Sequence, residues 1–443
     1  MPQQSQIEYF HGFGQSTGAD AYVFAPETPE QILEVFELAR SLGKSVSFAG
    51  ARRSYGSPMM TSEGLVISLR NFDTIGPIED DSVLVGGGVT LSQLWQAVAP
   101  LGYWPNVVSG TSKITVAGAI AMNIHGKNAF KLGNIGEHVS EISLVSPAQQ
   151  GRDLDAIGSM GLFGAIVSAR LDLQRIESAS VSVTARAPRT WGEHLQLFDE
   201  FASQSDYMVS WVDLHHRAGR GLFHAAEYSN SGSPLTARQS RESPLFGVVP
   251  RDQAWLMLKA LNNPALTKGL NAAKYLSGKI LAGNKAHAQT LAEFNFLLDA
   301  LPGWERAYAN GLVQFQAFVP SERAESVFVE LQDLQFRHRI VSSLGVLKKH
   351  RASPQVLPYA VYGYSLALDF GKTRGLELLC QEMAEAVIAG GGRFYLAKDS
   401  TLTADQYQRS LPDGAFAEFR QLKQKYDPEN ILQSIQSRHL GLT

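Results

Sequence analysis

The sequence predicts an α+β protein built in two regions, and three observations carry that reading. Over roughly the first 175 residues, short apolar runs alternate with amphipathic helical patterns. From about residue 179 the texture changes to well-separated strand patterns with long helical inserts, which suggests an antiparallel sheet covered on one face. The third is size and polarity. The chain has 443 residues, 44% hydrophobic and 18% charged, so it can bury the cores of two or three domains without disulfides.

The elements follow in order. Residues 22–25 read as a short strand. Thr28, Pro29 and Gln31 then form an N-cap, a proline at the first helical position and a capping-box glutamine. The helix over about 29–41 carries Ile32, Val35, Phe36 and Ala39 on one face and stops before Gly43. Strands are expected at 45–49, 65–69, 82–85, 142–145 and 165–173, with a helix capped by Thr90 running to about residue 100. In the second region, strands are expected at 181–185, 208–213, 313–319 and 364–369. Between 230 and 300 the chain is polar, then helical and basic. Lys259, Lys268, Lys274, Lys279, Lys285 and His287 are interleaved there with Leu266, Leu270, Tyr275, Leu276 and Ile280. The plain reading is a solvated amphipathic helix pair; the sharper one is a mobile lid, or a surface for anionic lipid headgroups. Leu376, Leu379, Cys380 and Met383 recur at helical spacing, which makes Cys380 a core residue.

Composition excludes several functions. Thirty-nine basic against 42 acidic residues give a net charge of −3, so nucleic acid is not an expected partner. Cys380 is the single cysteine, which rules out an intrachain disulfide and any cysteine-built metal centre; no metal site is expected. The N-terminus lacks the basic start and apolar run of a signal peptide, and the longest nearly apolar stretch, 114–122, is far below the ~20 residues of a spanning helix. A cytoplasmic protein is expected, with peripheral membrane contact left open and the oligomeric state unaddressed.

Two segments carry the chemistry. Residues 109–128 are rich in small side chains (Gly110, Ala117, Gly118, Ala119, Ala121, Gly126), which let backbone N–H groups approach a flat or anionic ligand, although close helix packing would also use them. Hydroxyls at Thr111, Ser112 and Thr115 sit where a phosphate or ring carbonyl would need donors, and His125, Lys127 and Asn128 follow at once. A second loop, Gly50-Ala51-Arg52-Arg53-Ser54-Tyr55-Gly56, comes directly after a strand and offers backbone amides to a pyrophosphate. It has neither the GK[ST] ending of a Walker loop nor the G-x-G-x-x-G dinucleotide fingerprint.

In this order the two loops resemble the flavoprotein superfamily of vanillyl-alcohol oxidase and para-cresol methylhydroxylase. Gly161-Leu162-Phe163-Gly164-Ala165-Ile166, Tyr395-Leu396-Ala397-Lys398-Asp399-Ser400 and the run Lys425–Leu432 also match. The I-H-G-K-N run, the Gln314-Phe315-Gln316 strand and the A-K-D-S run are most similar to its decaprenylphosphoryl-ribose oxidase branch. The resemblance implies a PCMH-type FAD-binding domain over 1–178, a substrate domain over 179–392 and a C-terminal return over 393–443. It implies FAD with its pyrophosphate on Gly50, Arg53, Ser54 and Tyr55. The isoalloxazine would lie against Gly110, Thr111, Thr115, Gly118, Ala121, Ile124 and His125, with Gly161, Ile166, Tyr395 and Ala397 completing the site. Tyr55, Lys127, Gln316, Lys348, Asp369 and Lys398 would face the flavin, and Trp211 is open between core and substrate wall.

The catalytic candidates are Lys398, Gln316, Lys348, Tyr55 and His125, with Lys398 acting as base or as stabiliser of flavin charge. Relatives with covalent flavin carry histidine where this chain has Arg53, so noncovalent FAD is expected. Arg52 stands where relatives usually carry glycine, Met160 where they carry asparagine, and Ala367 where they carry cysteine; the stretch 147–158 is short. The expected activity is FAD-dependent oxidation of a secondary alcohol on a sugar or polyol, such as a prenylphosphate-linked sugar. A flavin-dependent reductase or cyclase, and a silent FAD-fold scaffold, are the alternatives.

Overall fold

The computed structural model describes residues 6–148, 150–232, 253, 255–256, 259, 263–283 and 286–443. The first sheet contains β1 (Gln6–His11), β2 (Gly18–Phe24), β3 (Val46–Ala49) and β4 (Leu65–Ser68) in the order β1-β2-β4-β3. β4 runs parallel to β2 and β3, which requires a crossover between β2 and β3. The Pro29–Leu42 helix makes it. Thr28 accepts from the Gln31 N–H, Pro29 opens the first turn, and Gly43 closes the last at φ +59°. Ile32, Val35, Phe36 and Ala39 are its buried face, as the spacing predicts. Gln31 bonds the Glu27 N–H instead of closing a capping box. The chain's C-terminal part comes back here: Val46 N–H donates to the Ile431 carbonyl at 2.7 Å, and Gln433 N–H to that of Val46 at 2.9 Å.

The second sheet contains β5 (Ile75–Glu79), β6 (Ser82–Gly86), β7 (Tyr103–Pro105), β8 (Val139–Val145), β9 (Gln150–Arg152) and β10 (Ala165–Arg175). Its path is β5-β6-β10-β8-β9, with β7 paired to the far end of β10. The Leu91–Val98 helix has the complete capping box, Thr90 with Gln93. The Val116–Ala121 helix lies beside β10 and is capped by Thr115, whose hydroxyl accepts from the Gly118 N–H at 3.3 Å.

The third sheet is antiparallel throughout and holds β11 (Ser180–Arg186), β12 (Tyr207–Val212), β13 (Gly221–Tyr228), β14 (His287–Thr290), β15 (Leu312–Pro320), β16 (Leu344–His350), β17 (Gly363–Gly371) and β18 (Arg393–Phe394). Its order is β14-β11-β13-β12-β16-β17-β15-β18. Helices Trp191–Phe201, Ala324–His338 and Leu376–Ala389 cover one face, burying Phe198 against Phe223 and Tyr364 and Trp191 against Phe328. Cys380 is 1% exposed in this layer. Strand alternation sends the intervening side chains the other way. Residues 348–351, a charge run on paper, mostly belong to β16: Lys349 turns to the helices and pairs with Asp199, while Lys348 and His350 turn away from them.

One helix, Pro264–Leu281, is described in the basic insert. It packs on β13, with Gly278 so close to Leu222 that a Cβ would come within 2.4 Å of it. Asn271 and Tyr275 are its buried side, whereas Leu266, Leu270, Leu276 and Ile280 are exposed. Lys285 and most of 233–262 lie outside the described residues, as does a judgement on the expected helix pair. No described helix is long and apolar enough to cross a membrane, and no described cluster of His, Cys, Asp and Glu could hold a metal ion.

Candidate active site

The free face of the third sheet and the glycine-bearing loops of the other two enclose a cavity of about 1000 Å³. That is the upper end of ordinary ligand pockets. One wall is mainly backbone and small side chains from 50–54, 109–121 and 161–166. A Cβ on Gly50 would sit 2.2 Å from the Thr115 hydroxyl, so the first loop touches the cap of the Val116–Ala121 helix. Gly161 turns at φ +77°. Arg52 and Met160 also lie in the left-handed region, at φ +56° and +58°, where glycine and asparagine are the easiest occupants. The Arg52 backbone therefore holds a conformation that glycine would adopt without strain. Its side chain leaves the site, pairing with Glu8 at 2.7 Å and lying 3.7 Å over the Phe10 ring.

The opposite wall is side chains. Gln314 and Gln316 on β15, Lys348 on β16 and Ser365, Ala367 and Asp369 on β17 face the cavity, and Lys398 reaches it from the loop after β18. Gln314 Nε2 donates to Asp369 Oδ1 and approaches the Tyr55 hydroxyl at 3.4 Å. Gln316 Nε2 donates to His125 Nε2 at 3.1 Å, so that nitrogen is an acceptor. The His125 ring is packed by His350, Phe318 and Tyr395 at 4.9, 5.4 and 5.4 Å between centroids. Lys398 Nζ lies 4.3 Å over the Tyr55 ring.

Burial and like charge shape the titrations. Burial pushes Asp369 up to about 6, against the Gln314 hydrogen bond and the Lys398 charge. Burial lowers Lys398 to about 8, and Asp369 opposes that drop. Lys348 falls to about 7 through burial and then the Lys398 charge. His125 is held well below its usual range by burial and by the charges of Lys348, His350 and Lys398, so it stays neutral. Lys127 is lowered by burial and by Lys348; its Nζ donates to the Phe294 carbonyl and, at 3.4 Å, to that of Asn295.

Every expected site residue lines this cavity except Tyr55. Tyr55 sits behind Lys398 in a side cleft with Phe13 and Trp304, because its N–H is tied to the Ala397 carbonyl at 2.9 Å. The expected hydroxyl donors also need correction. Thr115 serves as a helix cap, and Thr111 and Ser112 grip Asp299 at 2.6 and 2.8 Å. Asp399 does not pair with Lys398; it accepts from the Thr401 and Leu402 N–H groups. Trp211 is both cavity wall and part of a small apolar cluster with Leu222 and Tyr275. Sequence reasoning overlooked Gln314, Ser365 and Lys274 as wall residues, and His350 behind His125. The period-2 alternation that exposes Gln316 to the cavity was the available signal for Gln314.

The cavity suits a large, flat, anionic cofactor. The Tyr395 hydroxyl and Arg53 Nε are buried without a partner, and no side chain projects from Gly50, Gly110 or Gly118. Residues 20–152 match the model of the FAD-binding domain family. Decaprenylphosphoryl-β-D-ribose oxidase of Mycolicibacterium smegmatis is 30% identical over 453 aligned residues, which cover 97% of each chain. A protein encoded in the mprA 5′ region of Streptomyces coelicolor is 28% identical over 80% of this chain and all of its own. The glycine-lined wall, the lysine-bearing sheet opposite it and a likeness running almost end to end agree: the chain belongs to the PCMH-type FAD-binding oxidoreductases, near decaprenylphosphoryl-β-D-ribose oxidase, and is an FAD-dependent enzyme acting on CH–OH donors.

Proposed function

We propose that the protein oxidises a secondary hydroxyl of a ribose-like sugar linked to a prenyl phosphate, as the name of its Mycolicibacterium relative suggests. The observation that carries the reading is the Lys398–Asp369–Gln314 cluster on the wall opposite the glycine loops. FAD, when bound, supplies the hydride acceptor. In this reading Gly50, Arg53 and Ser54 hold its pyrophosphate. Gly110, Thr111, Thr115, Gly118, Ala121, Ile124 and His125 meet its ring system, and Gly161, Ile166, Tyr395 and Ala397 complete the seat. Lys398 Nζ, near 8 and therefore partly free amine at neutral pH, takes the proton of the reacting hydroxyl. Asp369 opposite keeps that amine from losing all its basicity. Gln316, fixed by neutral His125, orients the sugar, and Lys348 adds positive charge. Lys127 and Trp211 belong to the substrate side. Tyr55 acts on Lys398 through its ring, not on the cofactor. A lipid-bearing substrate also accounts for the Pro264–Leu281 helix, whose outward Leu266, Leu270, Leu276 and Ile280 suit contact with a bilayer.

The test is an anaerobic spectrum. Prenylphosphoryl ribose should bleach the yellow holoenzyme, and a protein that stays yellow with every sugar tried is not this oxidase. Arg53 cannot form a histidyl–flavin bond, so acid precipitation should leave the flavin in the supernatant; flavin in the pellet would remove the noncovalent assignment.

A further inference from the structure

The mechanism above leaves the cationic wall residue Lys274 unused. Lys274 lies on the Pro264–Leu281 helix, which packs on β11 and β13, and its Nζ sits 4.1 Å over the Trp211 ring of β12. That contact turns the ammonium toward the cavity from the edge of the helix, between exposed Leu270 and buried Tyr275, where the residue itself remains solvent-exposed. Trp211, His224 and Lys127 line the same cavity, Trp211 and His224 from the paired strands β12 and β13. His224 is held below its usual range by burial first and then by the charges of Lys127, Lys274 and His287, so both lysines act on the same ring. No carboxylate among the described residues answers Lys274. Asp213, at the end of β12, is taken by Arg220 at 3.0 Å and by Asn271 at 3.1 Å. Asp369, the carboxylate on this cavity's wall, is bonded by Gln314 and faces Lys398.

We propose that Lys274, with Lys127, forms a subsite for the anionic group of the substrate, a phosphate monoester or diester, and so decides which sugars are accepted. Two positive groups facing a partly apolar cavity without a counter-charge are stabilised by an anion that brings its own charge. Lys127 has two of its three N–H donors committed to carbonyls, which fixes its position and leaves one for the ligand. Lys274 comes from the Pro264–Leu281 helix, so a bound phosphate would tie that helix to the cavity. The assignment rests on the sugar-oxidase reading for its substrate.

The experiment uses FAD-loaded enzyme and the variants Lys274→Gln and Lys274→Arg. Ribose 1-phosphate is compared with ribose as reductant, and inorganic phosphate binding is followed by calorimetry. For Lys274→Gln we expect KM for ribose 1-phosphate to rise roughly tenfold or more, the scale of a hydrogen bond to a charged group, with kcat little changed. KM for ribose should move less than about twofold, and Lys274→Arg should recover most of the loss. Equal changes with both sugars, or no change with the phosphorylated one, would overturn the subsite. If neither sugar reduces the flavin, the oxidase reading fails separately. Calorimetry then decides: phosphate binding that weakens in Lys274→Gln upholds the subsite, and unchanged or absent binding removes it.

Discussion

The two walls of the cavity are made from different materials. The glycine-bearing wall presents mostly backbone and methyl-sized groups, set by turns at Gly50, Gly161 and the capped Val116–Ala121 helix. The sheet wall presents amides, ammonium groups and one carboxylate on alternating strand positions. A backbone surface suits a ligand that is the same in every turnover, since main-chain geometry changes little with sequence. A strand surface suits a substrate, since each alternate residue can be exchanged without moving the sheet. If the proposed roles hold, the division separates holding from reacting, and substitutions on the two sides should fail differently.

The largest effect is expected on the sheet side. Lys398→Met should load with FAD yet be reduced by substrate roughly 100-fold more slowly, as measured by anaerobic stopped flow. Full flavin with near-normal reduction would pass the role to Lys348. If the free amine acts, wild-type reduction should rise with pH through about 8. Asp369→Asn removes the anion that holds Lys398 protonated, so that limb should move to lower pH. A smaller effect of the opposite kind is expected on the backbone side. Gly50→Ala puts a methyl 2.2 Å from the Thr115 hydroxyl, an overpacking of about 1–3 kcal/mol, so flavin affinity should fall roughly 5- to 100-fold while loaded enzyme is reduced normally. Fluorescence titration of the apoenzyme measures it; a slowed reduction at full occupancy would break the division. The smallest effect should come from Cys380→Ala, far from both walls. Burial pushes that thiol up to about 12, so it is neither nucleophile nor ligand, and turnover should stay near wild type.

Local physics made much of this legible. Thr28-Pro29 and Thr90-Gln93 mark helix starts through bonds between near neighbours, and these are where the helices begin. The small-residue run at 110–121 declared a backbone surface. What stayed hidden depends on partners distant in sequence. Lys348, Lys349 and His350 look alike in a row, and only the pairing of β16 between β12 and β17 sends Lys349 to Asp199 and the other two inward. The hydroxyls of Thr111 and Ser112 read as ligand donors because their acceptor, Asp299, lies 187 or more positions away. Lys274 is exposed, as its helix suggests, and what the local pattern could not show is its contact with Trp211 on a distant strand.

Arg52 and Met160 have a consequence for how such proteins are found. Both occupy left-handed backbone positions whose usual tenants have been replaced, at a cost of the order of 1–2 kcal/mol each. Arg52 recovers part of the cost through Glu8 and Phe10. A search pattern demanding glycine at the first position and asparagine at the second would pass over this chain although its backbone makes both left-handed turns.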